Sequence, residues 1–261
     1  MLNGNKRTNG DRSEVRILFL GQCLQYGYEG VDRNATFPSL ALPALKTQFP
    51  GLGFKVDLKY LYHPVGLKAL LRRRLTLTRP DLAVIGLPAL FAATQWRVNL
   101  IYELAPELVD TARAFMQRVE AKVKRQRKPM AATLLDRTVA WRAPIALDEY
   151  ERLVEEAITD SMQISSCRFI LMGPGRFNED TRETYHFHSP ELWSAVNRML
   201  IGLAQRLRLP FINAHDTLDE YGREVFLLNN HRFSTFGHQV IAREVASVLG
   251  AQVTVMSFNG K

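Results

Sequence analysis

Gly21-Gln22-Cys23-Leu24 follows directly on Val15-Arg16-Ile17-Leu18-Phe19-Leu20, a run that is apolar except for Arg16. The run reads as a buried strand and the glycine as its turn, with a thiol just beyond the strand's carboxyl end. Ligands of open parallel sheets bind at that end, and hydrolases hold nucleophiles on sharp strand-to-helix turns. A cysteine there is a candidate nucleophile, because its thiolate is accessible near neutral pH. The competing role is packing, since cysteine is among the most buried residue types. Cys167 opens a core strand and is expected to be structural.

Other side chains offer chemistry of their own. His186-Phe187-His188 sets two imidazoles close together, with Glu179, Asp180 and Glu183 just upstream. No partner completes a metal set by sequence, so no metal is expected. His215-Asp216 follows a strand; Asp216 is either a spare carboxylate for catalysis or a turn cap. Gly173-Pro174-Gly175-Arg176 suggests an anion loop but lacks the ending of a P-loop and the third glycine of a dinucleotide loop. It reads as a turn with a solvent-facing arginine. Tyr26-Gly27-Tyr28-Glu29-Gly30 either lines a pocket or covers the sheet edge.

The elements that must position these groups alternate between strand and helix. Strands are expected at 15–20, 54–61, 82–86, 168–172 and 209–213. Helices are expected at 35–49 (with Pro43 forcing a kink or restart), 67–75, from Ser189-Pro190-Glu191 onward, and at 235–249 with Gly250 as the stop. That alternation means a parallel sheet with helices on both faces. The stretch 95–165 is too long for a simple crossover and is expected to be a helical insertion. Within it, Leu104 to Val123 and Leu147 to Ile158 each show apolar residues at steps of three and four. Residues 1–13 are polar and expected to be disordered; residues 14–261 are expected to form one domain.

A chain of 261 residues, 46% hydrophobic and 23% charged, is long enough for one sizeable core of ordinary globular composition. No apolar run reaches the roughly 18 residues that a membrane span needs. Two cysteines make no disulfide framework, and the N-terminal residues carry no signal-peptide core, so a cytoplasmic setting is expected. The net charge is +8, much of it in Arg72-Arg73-Arg74 and in Lys122 to Lys128. These runs are either solvated helix ends or a surface for an acidic partner. No nucleic-acid module accompanies them, so nucleic acid is not the expected partner.

The chain resembles the SGNH/GDSL hydrolase family. Gly21-Gln22-Cys23-Leu24 matches the first block, with Cys23 at the family's serine. Gly66 in His63-Pro64-Val65-Gly66 matches the second block, and Pro80-Asp81-Leu82 matches the start of the third. His231 to Ser234, Gly237-His238 and Val240-Ile241-Ala242 match the last. The chain departs from the pattern at Leu90, where the family has its oxyanion asparagine, and at Leu228, where it has its aspartate. Counting back from Gly237-His238 without a gap sets Arg232, not His231, at the catalytic histidine. The resemblance implies a flavodoxin-like, three-layer, doubly wound parallel sheet of about five strands, and ester chemistry without a cofactor.

On that scaffold Cys23 attacks an ester or thioester carbonyl and His231 carries the proton. A thiolate–imidazolium pair depends less on an orienting aspartate than a serine does, and Asn229 or Asn230 can orient the ring. The backbone N–H groups of Cys23 and Gly66 and the amide of Gln22 are the expected oxyanion donors. The substrate is expected to be a small or carrier-bound acyl ester, its identity and the oligomeric state left open. The alternatives are a catalytically degenerate binding protein on the same scaffold and a nucleic-acid binder acting through the basic runs.

Overall fold

The computed structural model describes residues 13–21, 31–61, 63–93, 96–99, 139–142, 144–178, 189–227 and 232–258. Its strands are β1 (Glu14–Gly21), β2 (Gly53–Tyr60), β3 (Leu82–Gly86), β4 (Trp96–Asn99), β5 (Val139–Arg142), β6 (Arg168–Met172) and β7 (Phe211–Ile212). Its helices are α1 (Phe37–Gln48), α2 (Leu67–Leu77), α3 (Leu90–Ala93), α4 (Leu147–Ile164), α5 (Pro190–Leu207), α6 (Ala214–Asp219) and α7 (Thr235–Phe258). Five strands form one sheet in the order β2-β1-β3-β6-β7, every neighbouring pair parallel.

Side-chain alternation sorts the sheet into two cores. Val15, Ile17 and Phe19 of β1, with Leu82 and Val84 of β3 and Ile170 and Met172 of β6, pack under α1, α6 and α7. Leu18, Leu20, Ala83, Ile85, Phe169 and Leu171 face the other way, under α2, α4 and α5. The sheet is therefore covered on both faces, as the near-continuous apolar runs of β1 and β3 require. Asp81 aligns three strands: its carboxylate accepts the Arg16 N–H at 2.9 Å, its own N–H donates to the Arg16 carbonyl, and its carbonyl accepts the Arg168 N–H.

Three local expectations change. Helix α1 runs through Pro43 without interruption. Helix α7 passes Gly250 and continues to Phe258, because the apolar stripe goes on: Leu249 and Val253 are both buried. Gly250 is instead the point where α7 meets α1, and a side chain there would run into the amide of Gln48. Finally, Leu147–Ile164 of the 95–165 segment is the crossover helix itself, burying Tyr150, Val154, Ala157 and Ile158 against the core. An antiparallel ladder of β4 and β5 precedes it. Residues 1–12 and the expected helix from Leu104 to Val123 lie outside the described residues.

Helix α2, which carries the first basic run, lies beside an acidic helix. Helix α4 carries Glu151, Glu155, Glu156 and Asp160 between α2 and α5. Lys68 of α2 pairs with Asp160 at 2.5 Å, and Arg206 of α5 reaches Glu151 at 2.5 Å and Glu155 at 3.4 Å. Among the described residues no helix is long and apolar enough to cross a membrane.

Candidate functional site

Five segments converge on the carboxyl edge of the sheet. Strand β1 ends at Gly21, whose carbonyl accepts the Leu61 N–H at 2.6 Å. Gln22 and Cys23 come next and lie outside the described residues, as does His231. The other four segments are the turn after β2, the loop after β3, the loop after β6, and the stretch from Val225 to Ser234.

The turn after β2 is a single 3-10 turn, Pro64–Gly66, which leads into α2. His63 caps it, its Nδ1 accepting the Val65 N–H at 3.4 Å. The Gly66 N–H donates to the His63 carbonyl at 3.1 Å. It can serve an oxyanion only if that bond opens. After β3, Leu90 begins α3 and packs, half-buried, on the core under α2, α4 and α5. The loop is pinned from α4 by the buried Tyr150, whose hydroxyl donates to the Pro88 carbonyl at 3.1 Å. Burial holds that phenol well above its usual range. Sequence periodicity put Tyr150 on the core face of its helix but gave no sign of the Pro88 bond.

The loop after β6 is a packing device. A side chain at Gly173 would meet the Asn197 carbonyl oxygen, and the Phe211 ring at 2.8 Å; one at Gly175 would meet the Phe233 ring at 2.5 Å. The glycines let the loop lie against these groups, with no phosphate cradle needed to explain them. Arg176 is half-buried and bonds Asp219 through Nε at 3.0 Å.

Beyond β7, Asn213 caps α6 by accepting the Asp216 N–H, and its amide donates to Asp216 Oδ2 at 2.7 Å. Asp216 Oδ1 lies 2.9 Å from His215 Nδ1, and Asn197 donates to Asn213 Oδ1 at 3.1 Å. Asp216 is thus part of a turn cap. The pair sits at the end of β7, three strand spacings, about 14 Å, across the sheet from β1.

The described residues on either side of 228–231 are tied to one another. The Leu227 N–H donates to the Arg232 carbonyl at 2.9 Å, Phe226 and Phe233 form an antiparallel bridge, and the Ser234 N–H donates to the Val225 carbonyl at 2.8 Å. The Ser234 hydroxyl donates to the Glu224 carbonyl and accepts the Gly237 N–H. His238, in the block that resembles the family's last motif, is fully buried and holds two helices together. Its Nδ1 accepts the Phe37 N–H at the start of α1, 3.2 Å away. Desolvation pushes its pKa down to about 4.

Cys167 is buried, and desolvation with the nearby Asp81 pushes its thiol far up, as a structural cysteine requires. Among the described residues no group of three or more His, Cys, Asp or Glu side chains could hold a metal. His186 and His188 lie outside those residues.

No family model and no curated protein matches the sequence. Solved structures do. The acetylxylan esterase Axe2 from Geobacillus stearothermophilus is 15% identical, with a TM-score of 0.57 over 92% of this chain and 95% of that one. The lipase/acylhydrolase from Enterococcus faecalis is 12% identical, with a TM-score of 0.55 over 91% and 96%. The five-strand order and the two helical layers are those of the SGNH/GDSL-type hydrolase fold. At these identities the likeness is one of fold, spanning nearly the whole of each chain.

Proposed function

We propose that this protein is an SGNH-fold hydrolase or acyltransferase acting on a carboxylic ester or thioester, with Cys23 as nucleophile and His231 as its base. What supports the reading is chain order on this fold: the candidate nucleophile follows the first strand and the candidate base falls in the late segment before α7. Cys23 follows β1, a central strand, by two residues, and His231 lies within the segment closed by the Leu227–Arg232 bond. The likeness in fold to an acetylxylan esterase and a lipase/acylhydrolase supports the same reading. The thiolate adds to the carbonyl, the imidazolium protonates the departing alcohol or thiol, and water or an acceptor alcohol releases the acyl group. Gln22 is assigned an oxyanion amide, and the acyl donor is small or carried by an acidic protein that the basic surface attracts. A cytoplasmic, reducing setting keeps the thiol available.

Leu90 and Gly66 favour a second reading, a binding protein that has lost its catalysis. An apolar side chain stands where the family's amide donor belongs, and the Gly66 N–H is already used. Loss of one oxyanion donor costs about 10²–10³ in rate.

Mass spectrometry of the intact chain after exposure to aryl esters and acyl thioesters tests the first reading. A single acyl adduct on Cys23 is expected, lost together with turnover in Cys23→Ala. At neutral pH, dilute iodoacetamide should modify Cys23 well before the buried Cys167. Turnover that survives Cys23→Ala would sink the nucleophile assignment.

A further inference from the structure

Arg176, Phe177, Asn178, Gly222, Arg223 and Phe226 line an open cleft of about 90 Å³. Two arginines and the buried Asn178 are among its lining residues. Its apolar walls are fixed in place: Phe177 packs edge-on against Trp193 with ring centres 5.3 Å apart, and Phe226 lies 6.1 Å from Phe233. Arg176 is held by Asp219, whose carboxylate lies 3.0 Å from its Nε. Gly222 adopts φ +63°, and no heavy atom lies within 4 Å of where its side chain would begin. A glycine there both permits the turn and keeps one side of the cleft open.

The cleft adjoins the described residues that precede the proposed base in the chain. Phe226 is at once its wall and the partner of Phe233 in the bridge that flanks 228–231. Gly175, in the loop that leads to Arg176, lies against the same Phe233 ring.

From this geometry we infer that the Arg176–Arg223 cleft is a subsite for an anionic group, a carboxylate or a phosphate, carried by the substrate. Arginine suits the task because its planar fork matches the oxygens of either group, and aromatic walls exclude water from the contact. The chemistry then selects acidic esters. The inference rests on the ester-cleaving reading for its role and on the cleft alone for its binding, so the two are tested separately.

Binding is read by titrating inorganic phosphate, and separately succinate, into the intact protein by calorimetry. Arg176→Gln and Arg223→Gln should each weaken binding about tenfold or more, the loss of one charge-assisted hydrogen bond, while Arg152→Gln on α4 leaves it unchanged. Phosphate favoured over succinate marks a phosphate site, and the reverse a carboxylate site. Equal affinity of the wild type and both cleft variants for both anions overturns the subsite. The role is read from the ratio of kcat/KM for the p-nitrophenyl half-ester of adipate to that for p-nitrophenyl acetate. It should fall about tenfold in either cleft variant. A ratio that does not move refutes substrate selection by the cleft. If neither ester is cleaved while phosphate binding still depends on both arginines, the ester-cleaving reading fails and the anion site stands.

Discussion

The His238 imidazole accepts the Phe37 N–H from inside the core, so its Nδ1 lone pair must stay unprotonated while α1 is seated. Its pKa falls from the usual 6.5 to about 4 on folding, because burial disfavours the cation. The unfolded chain therefore binds more protons than the folded one between those values. Stability contributed by neutral His238 is fully present above pH 6.5 and is lost as pH falls from there towards 4, by about 3 kcal/mol. Urea unfolding at a series of pH values should show that acid limb, and His238→Asn should flatten it while lowering stability at pH 7. A limb of equal size in both proteins would mean that other groups control acid unfolding. The same imidazole shows why a motif can mislead. Gly237-His238 looks like part of a reactive block, yet the glycine lies against the Val225 carbonyl and the histidine joins two helices.

At the scale of the element, α7 contains two glycines whose replacement should act in opposite directions. A side chain at Gly237 would drive into the Val225 carbonyl, backbone that also accepts the Ser234 N–H. Gly237→Ala should cost about 2–3 kcal/mol, as forced overpacking does. A side chain at Gly250 meets only the far end of Gln48, which can swing away, and alanine is the better helix former by up to about 1 kcal/mol. Gly250→Ala should therefore be neutral or stabilising, and chemical denaturation of both variants reads the contrast. The sequence revealed what depends on local pattern: β3 and β6 fall at 82–86 and 168–172 as expected, and α5 begins at its Ser189 cap. It did not reveal what depends on who meets whom. Gly250 is a stop by composition and a contact point by packing. Arg72-Arg73-Arg74 looks like a free basic run, yet its helix lies beside an acidic one. The ladder of β4 and β5 has four residues a side and too little periodicity to stand out from a helical stretch. At the site, Gly66 was found by resemblance, but its turn bond to His63 is tertiary detail.

For the whole molecule, the sheet is a rigid frame with chemistry confined to one edge. A ligand held there stabilises the folded state without altering the two cores. At a hundred times its dissociation constant, such a ligand adds about 2.7 kcal/mol, a rise of about 5–10 °C in Tm for a chain of this size. The two functional readings then separate in one measurement. The ester is the p-nitrophenyl half-ester of adipate, whose carboxylate is too remote to expel the phenol, and Tm is followed after increasing incubation beside a protein-free blank. If Cys23 is a working nucleophile, the wild type releases p-nitrophenol and its Tm gain moves with time to the gain given by the free diacid alone, while Cys23→Ala keeps the gain of the intact ester. If the protein only binds, both keep the gain and the ester is recovered intact. A change at the same rate in both proteins, faster than the protein-free blank, would assign turnover to a group other than Cys23, and residues 228–231 would then be the first place to search for it.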